Sequence, residues 1–306
     1  MSPDPADSGG RPTFLIIGAA RSGTTFLARH LARHRDVSFS DPKETHFLAF
    51  PDQQLAFTGP GDAETINRVA VTDPTRWHAL FDDAPARGEG SVSTLYHPDV
   101  AVDTIRAHCP DVRLIAVLRE PVDRAYSAWL YQVGRGFETA SFDDALADEG
   151  RRIANGWHHI WHYEAMGHYP SQLRPFIEAF GRDRLLVLDH ADVELDPATA
   201  LDRCFAFIGV EPQELGGLDA EVNRGGQPRS QALAGAMSRA RRVEPLRQAV
   251  KKLVPFAVRE RIRSANLDRP PMPTDARDRL RAAYADDGPA LVDLLGDAAP
   301  RWARDR

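Results

Sequence analysis

The sequence predicts an α/β fold in which a parallel β-sheet is flanked by helices and followed by a C-terminal helical extension. Continuous apolar runs at residues 13–17 and 112–118 have the pattern of strands that are buried on both faces of a sheet. Apolar residues at helical spacing follow each run. Alternating strands and helices are typical of parallel strands that are joined by helical crossovers, so the two observations support one fold class.

The same patterns place the individual elements in chain order. Pro121 suits the first turn of a helix, and Gly134 and Gly136 end the apolar spacing that follows it. The expected elements are a strand at 13–17, a helix from Phe26, a strand at 112–118, a helix from Pro121 to Gly134, a helix at 173–180, a strand at 185–188 and a helix at 197–208.

One domain is expected rather than two. Residues 1–12 are rich in Asp, Pro and Gly and predict a disordered tail, whereas residues 13–306 are expected to fold as a unit. Strand signals stop near residue 223, so residues 223–273 predict a basic helical region that could act as a lid. After a Pro-rich link, residues 274–306 predict a C-terminal helix.

Composition excludes several classes of protein. The 306 residues are 42% apolar, enough for a large core, and their net charge of −6 argues against a general nucleic-acid binder. No apolar run reaches the length that spans a bilayer, and the first residues lack the pattern of a signal peptide. Two cysteines rule out a disulfide framework. We therefore expect a soluble, cytoplasmic protein without a nucleic-acid partner or a transmembrane segment.

The segment Gly18–Thr25 lies between a predicted strand and a predicted helix. Glycine turns at this position let backbone N–H groups and a helix N-terminus surround a phosphate. A phosphate-binding loop between a strand and a helix is typical of P-loop proteins, so we expect a P-loop-like parallel sheet. The lysine of a nucleoside-triphosphate loop is replaced by Thr24, and the cation is instead Arg21. The loop therefore predicts an anion site, and the replacement disfavours a magnesium-dependent kinase. A plain glycine turn is the alternative interpretation.

A second anion site is predicted where the strand at 112–118 ends. Arg119 follows that strand, and Ser127 stands eight residues later, about two helical turns into the next helix. Ligands of open α/β sheets bind at the carboxyl ends of the strands. Two anion sites at such ends suggest a nucleotide that is phosphorylated at both its 5′ and 3′ positions.

These two motifs, in this order and about 100 residues apart, resemble those of sulfotransferases that use 3′-phosphoadenosine 5′-phosphosulfate (PAPS), in particular the heparan-sulfate-type and related bacterial enzymes. The resemblance covers nearly the whole chain and implies a single sulfotransferase domain over residues 13–306. It also implies which residues bind the donor. They are Arg21, Ser22, Gly23, Thr24 and Thr25 for the 5′-phosphosulfate, Arg119 and Ser127 for the 3′-phosphate, and Arg229 in a late loop that closes on the donor.

The resemblance extends to Pro42–Phe47, which is similar to the family segment that holds the catalytic glutamate. It implies Glu44 as the general base that removes the acceptor's proton, with Lys43, His46 and Arg21 stabilising the transferring charge. A purely structural role for His46 remains an equal alternative. A further segment, 88–95, also resembles the family but carries Val92 where a proline is usual and Thr94 where an aromatic residue is usual. Some relatives also have a lysine where Gly90 stands.

No metal is expected. His158 and His162 are four residues apart in a histidine cluster with His159 and His168, a spacing that can bind a metal, but no third ligand has a compelling position. The cluster is instead expected to pack in the core or to line an acceptor cleft.

Residues 224–269 contain twelve Arg or Lys and three acidic residues. This basic stretch predicts a solvated lid face, steering of an anionic substrate, or peripheral contact with acidic lipid.

The predicted reaction is transfer of a sulfuryl group from PAPS to a hydroxyl of a small-molecule, saccharide or lipid acceptor. Two alternatives stay open. One is a P-loop nucleotide-dependent kinase, and the other is a non-catalytic protein that binds PAP, the 3′,5′-bisphosphate product of PAPS, or PAPS itself.

Overall fold

The apolar runs of the sequence form the centre of a five-stranded parallel sheet in the computed structural model, which describes residues 10–218, 227–228 and 267–305. The strand order is β2-β3-β1-β4-β5, with every neighbouring pair parallel. The predicted fold class is confirmed. The strands are β1 Phe14–Gly18, β2 Val37–Phe39, β3 Ala86–Glu89, β4 Arg113–Leu118 and β5 Leu185–Asp189.

Helices cover both faces of this sheet. The described helices are α1 Thr24–Leu31, α2 Pro74–His78, α3 Val92–Tyr96, α4 Pro98–His108, α5 Pro121–Arg135, α6 Phe142–Ala147, α7 Glu149–Ala154, α8 Tyr169–Phe180, α9 His190–Leu195, α10 Pro197–Ile208, α11 Thr274–Ala283, α12 Asp287–Leu295 and α13 Arg301–Arg304. Two residue pairs, β6 Gln227–Pro228 and β7 Leu267–Asp268, form a small antiparallel ladder.

Alternate residues of β1 pack into two hydrophobic cores, one on each face of the sheet. Leu15 and Ile17 pack with α4, α8 and α12, whereas Phe14 and Ile16 pack on the other face with α1 and α10. All four side chains are fully buried. A strand with two buried faces needs a continuous apolar run, and for this reason the sequence predicts β1 and β4.

A third core lies beside the sheet, where α5, α6 and α11 pack around the segment 157–163. Trp161 and Tyr163 are fully buried there, together with Phe142 and Tyr284. This core fixes the chain that carries His158, His159 and His162.

The structure adds two strands that the hydrophobic pattern does not predict. β2 has three residues, and β3 reads Ala-Arg-Gly-Glu, so neither has an apolar run. Gly88 of β3 is nevertheless suited to its place, because a β-carbon there would lie 2.2 Å from Phe14 Cζ. Close packing between neighbouring strands, rather than hydrophobicity, identifies this strand.

The prediction of one C-terminal helix over residues 274–306 is wrong, because three helices occupy this range. Gly296, with a φ of 57°, ends α12, and Pro300 precedes α13.

The end of the predicted N-terminal tail contacts the folded domain: the Gly10 carbonyl is bonded to His78 Nδ1, and the Arg11 carbonyl accepts from Arg87 Nε at 2.6 Å. Hydrogen bonds from these two side chains to the backbone carbonyls therefore order residues 10 and 11, while residues 1–9 lie outside the described residues.

The two cysteines are free thiols in different cores. Cys109 packs on one face of the sheet and Cys204 on the other. Burial raises the pKa of both thiols.

Within the described ranges, none of the helices combines the length and the apolar character that crossing a membrane requires.

Candidate active site

The loops that carry the predicted site residues follow strands of the sheet. Because all strands are parallel, their carboxyl ends share one edge, which is where ligands of such sheets bind. The loop 19–23 follows β1, Lys43–His46 follow β2, Glu89 ends β3, Arg119 follows β4 and His190 follows β5. Residues that are far apart in the sequence are thereby brought to one edge.

The loop after β1 has the backbone of an anion cradle. Arg21 and Gly23 have φ angles of 64° and 93°, so two residues with positive φ stand directly before α1, which begins at Thr24. Ser22 is fully buried and Thr24 nearly so, and Thr25 stands in the first turn of α1. The predicted 5′-phosphate residues therefore lie together at a helix N-terminus, where backbone N–H groups favour an anion.

Arg21 is positioned by an aromatic ring that sequence reasoning missed. Its guanidinium lies 4.4 Å from the centroid of the Tyr131 ring, on the fourth turn of α5. Arg135, one helical turn later, lies 5.3 Å from the same centroid and donates to the Tyr131 hydroxyl at 3.3 Å. Cation–π contact with Tyr131 therefore restrains Arg21 beside the loop.

Arg119 joins the second predicted anion site to the first. Its Nη1 donates to the Arg21 carbonyl oxygen at 3.3 Å, and its own carbonyl accepts from the Tyr169 hydroxyl at 2.9 Å. Burial and the nearby charge of Arg269 lower its pKa, although a guanidinium stays protonated at neutral pH. Ser127 is buried in the second turn of α5. The two predicted sites are thus neighbouring parts of one edge.

Lys43 connects the predicted base to the anion loop. Its Nζ lies 2.9 Å from Glu44 Oε1 and donates to Thr24 Oγ1 at 3.4 Å. The Glu44 side chain keeps 35% of its exposure, so it is accessible to an acceptor. The structure therefore brings Glu44 and Lys43 to the start of α1.

The buried Glu89 side chain holds the segment Lys43–His46 in place through hydrogen bonds. Glu89 Oε1 accepts from the Thr45 amide at 3.2 Å, from the Thr45 hydroxyl at 2.8 Å and from the Ser91 hydroxyl. Ser91 Oγ in turn accepts from the His46 amide at 2.9 Å. Glu89 Oε2 is buried without a hydrogen-bond partner among the described residues, and burial raises the pKa of this carboxyl. Sequence reasoning did not assign Glu89, although it stands in the quoted segment 88–95.

The electrostatic surroundings of Glu44 favour its ionised form. Burial acts to raise its pKa, but the Lys43 ammonium and His46 outweigh that effect, so the pKa lies below its usual value. Burial lowers the pKa of His46 despite the nearby Glu44. His46 acts on Glu44 only at the low pH at which its imidazole is protonated. Near pH 7 the imidazole is neutral, so Lys43 is the cation that holds Glu44 ionised. His46 Nδ1 lies 3.0 Å from Ser93 Oγ, which fixes the ring.

The predicted histidine cluster is mostly a core element. His158 and His159 are nearly fully buried, and their ring centroids lie 6.0 and 6.1 Å from that of His46. His162 Nδ1 lies 2.8 Å from the Tyr96 hydroxyl, whereas His168 lies apart and pairs with Asp287. Throughout the described ranges, the His, Cys, Asp and Glu side chains form no group of three that could hold a metal ion.

Part of the predicted site lies outside the described residues. This applies to Arg229 and to most of the basic region 223–273, of which the structure describes 227–228 and 267–273. Arg269 belongs to the described part, and its charge acts on Arg119.

Known proteins share the sequence pattern and the fold of this chain. The profile described as "Sulfotransferase family" matches residues 12–214, which is more than half of the chain. The chain belongs to the sulfotransferase family. A crystal structure of a sulfotransferase from Alicyclobacillus acidocaldarius superimposes with a TM-score of 0.72 and 30% identity, covering 93% of this chain and 96% of that one.

Curated relatives of this sulfotransferase are larger proteins. It is 24% identical over 315 residues to the human bifunctional heparan sulfate N-deacetylase/N-sulfotransferase 3, covering 96% of this chain and 31% of that protein. It is also 24% identical over 215 residues to the corresponding protein 2 from Mus musculus, covering 66% of this chain and 22% of that protein. The chain therefore spans about a third or less of these relatives.

Membership of the family identifies the protein as an enzyme that transfers a sulfuryl group, as the sequence predicts. The roles of individual residues within the sulfotransferase site remain predictions, which the geometry makes specific enough to test.

Proposed function

We propose that the enzyme transfers the sulfuryl group of PAPS to a hydroxyl of a small-molecule, saccharide or lipid acceptor. The proposal rests on how the predicted site residues are connected at the carboxyl edge of the sheet. Arg119 Nη1 donates to the Arg21 carbonyl, and Lys43 Nζ contacts both Thr24 Oγ1 and Glu44 Oε1. Two anion-binding segments thereby flank one accessible carboxylate. This arrangement suits a donor with phosphates at both ends and an acceptor that must lose a proton.

The donor is a substrate with a 5′-phosphosulfate and a 3′-phosphate, and the residues suit both groups. The left-handed turns at Arg21 and Gly23 direct the start of α1 at one anion. Arg119 and Ser127 provide a cation and a hydroxyl for the other. Arg229, outside the described residues, is proposed to close over the donor.

Glu44 is proposed to take the proton of the acceptor hydroxyl. The acceptor oxygen then forms a bond to sulfur while the bond from sulfur to the phosphate oxygen breaks, leaving PAP. The leaving phosphate is a weak base, so no general acid is required. Arg21 and Lys43 neutralise the charge on the transferring and leaving oxygens, and His46 either assists or fixes the segment through Ser93.

A saccharide acceptor has one further source of support, because the named relatives act on heparan sulfate. The chain covers less than a third of those proteins, so their substrate is a hypothesis for this one. Their names also include N-sulfotransferase activity, and an amino sugar therefore belongs in the acceptor test. The basic stretch 224–269 is proposed to attract an anionic donor or acceptor or to touch an acidic lipid surface.

A cytoplasmic location is proposed together with this function. Two free, buried thiols suit a reducing compartment, and the negative net charge suits a protein without nucleic-acid partners.

The test is an assay with PAPS and a panel of acceptors: a phenol, an aliphatic alcohol, a lipid alcohol, a neutral oligosaccharide and an amino sugar. Mass spectrometry detects the added sulfuryl group, and parallel reactions with ATP and Mg²⁺ detect a kinase. We expect sulfuryl transfer to at least one hydroxyl and no phosphoryl transfer. PAP binding by calorimetry without turnover on any acceptor would support the non-catalytic alternative, whereas phosphoryl transfer would overturn the proposal.

A further inference from the structure

His190 faces the donor loop from a position directly after β5, a strand that the sequence motifs do not include. It is the first residue of α9, directly after β5, and its side chain is buried. A β-carbon built on Gly23 would lie 3.5 Å from His190 Cδ2, which is ordinary van der Waals contact. The imidazole therefore borders the left-handed turn at which the predicted 5′-phosphate loop meets α1.

The charges around this imidazole are mainly positive. Arg21 of the loop, Arg119 after β4 and Arg269 after β7 all act on it, and they come from three different parts of the chain. The acidic group that faces it is Glu194 on the same helix, with Oε2 3.5 Å from His190 Nδ1 and a side chain that is 62% exposed. The preceding Asp189 accepts from the Ala191 and Arg301 amides, so its carboxylate is engaged elsewhere.

These surroundings keep the imidazole neutral in the free enzyme. Burial contributes most, followed by the charges of Arg119, Arg21 and Arg269, and together they lower the pKa of His190 to about 3. Asp123 and Glu194 already act on Arg119, and the pKa of His190 is lowered nonetheless. The donor adds further negative charge at this place, because its phosphate groups are the anions that Arg21 and Arg119 are proposed to bind.

We propose that His190 is a donor-binding residue that takes up a proton from solvent when a nucleotide with 5′ and 3′ phosphates binds. The proposal rests on the proposed PAPS-dependent function. The proton goes to an imidazole nitrogen, and the resulting imidazolium pairs with the bound phosphates, so no oxidant or co-reactant is needed. The binding residue found in this way directly follows β5, in addition to the sites after β1 and β4.

Proton uptake makes donor affinity depend on pH in a defined direction. The bound state holds one more proton than the free state at His190, so binding is favoured as the pH falls toward the pKa of the bound imidazole. A variant without the imidazole lacks this contribution, while protonation of the nucleotide's own phosphates affects both proteins equally. The difference between wild type and variant therefore isolates His190.

The experiment is titration calorimetry of PAP at about pH 6.5, in two buffers with different ionisation enthalpies. It compares wild type with His190→Gln, which keeps a polar side chain that cannot be protonated, and with His168→Gln as a control whose imidazole pairs with Asp287. We expect wild type and His168→Gln to take up about one proton more than His190→Gln. The ratio of wild-type to His190→Gln affinity should also rise by about 5- to 20-fold between about pH 8 and pH 6.

Equal proton counts for wild type and His190→Gln would overturn the proposal, even if the variant bound PAP more weakly, because a merely structural histidine takes up no proton. Failure of the wild type to bind PAP at all would instead overturn the proposed donor. A melting curve for His190→Gln, expected to be close to that of wild type, confirms that the comparison is made between folded proteins.

Discussion

Lys43 lies over Gly90, so that a β-carbon built on Gly90 would be 3.2 Å from Lys43 Cε. From this position the Lys43 ammonium reaches Glu44 Oε1 at 2.9 Å and Thr24 Oγ1 at 3.4 Å. The absence of a side chain at Gly90 therefore leaves room for the Lys43 chain, which packs there and carries its ammonium to the start of α1.

Replacing Lys43 by Met should shift the pH dependence of catalysis. Burial acts to raise the pKa of Glu44, and Lys43 is the main group that lowers it. Without the ammonium the pKa of Glu44 rises, so the acid limb of the kcat/KM profile should move to higher pH.

The matched control for Lys43→Met is Gly90→Ala. The added methyl group would displace the flexible Lys43 chain and the Phe39 ring by a few tenths of an ångström, and the Lys43 ammonium is kept. Gly90→Ala should therefore leave the acid limb in place. Superimposable limbs for Lys43→Met and wild type would mean that Lys43 does not tune the base.

Glu44→Gln should lower kcat by about 10²- to 10⁴-fold, the range for a lost general base, because Gln cannot take the acceptor's proton. PAP affinity should stay near that of wild type, and a PAP titration of the variant checks this. Turnover within a few-fold of wild type would place the base elsewhere, and His46 would be the next residue to change. If neither change slowed turnover, the acceptor would be acidic enough to react with little help.

Arg119→Ala should weaken PAP binding by about 1.5 to 3 kcal/mol, the scale of hydrogen bonds to a charged group. The variant loses the cation of the proposed 3′-phosphate site and also the bond to the Arg21 carbonyl. Calorimetry with PAP measures the loss. Arg184→Ala, which removes an exposed guanidinium before β5 near Asp111, is the control and should bind as wild type does. Unchanged affinity in a folded Arg119→Ala protein would remove Arg119 from the donor site.

Acid should destabilise the fold from about pH 6.5 downward. Burial lowers the pKa of His162 to about 4, and it also lowers the pKa values of His158 and His159. Between the unfolded and folded pKa values, the unfolded chain binds more protons than the folded one. Each such histidine therefore lowers the free energy of unfolding by up to about 1.4 kcal/mol per pH unit as the pH falls.

Urea denaturation of His162→Gln at several pH values checks this dependence. The variant should show a shallower decline of stability between about pH 6.5 and pH 4 than wild type. His168→Gln serves as the opposite case, since the hydrogen bond to Asp287 raises the pKa of His168 and favours the folded state at low pH. Removing it should not flatten the decline. Parallel pH profiles for wild type and His162→Gln would contradict the assignment.

The parts of the fold that the sequence predicts are those that local patterns determine. β1, β4 and β5 are continuous apolar runs, because both of their faces are covered, whereas β3 is recognisable only by how Gly88 fits against Phe14. The same distinction applies to the site. Arg21, Arg119 and Glu44 stand in motifs, but Glu89 reaches Thr45 across 44 residues of sequence, and such a contact depends on the register of the folded sheet. Tyr131 and His190 were missed for the same reason.

The placement of the two thiols on opposite faces of the sheet has a practical consequence for spectroscopy. Both are buried and have raised pKa values, so at neutral pH neither should react with a maleimide. A cysteine introduced at an exposed position, such as Val100 on α4, would carry a fluorophore with the native thiols left in place. A second label on the bound nucleotide would then let energy transfer report how far the donor site lies from that helix during turnover.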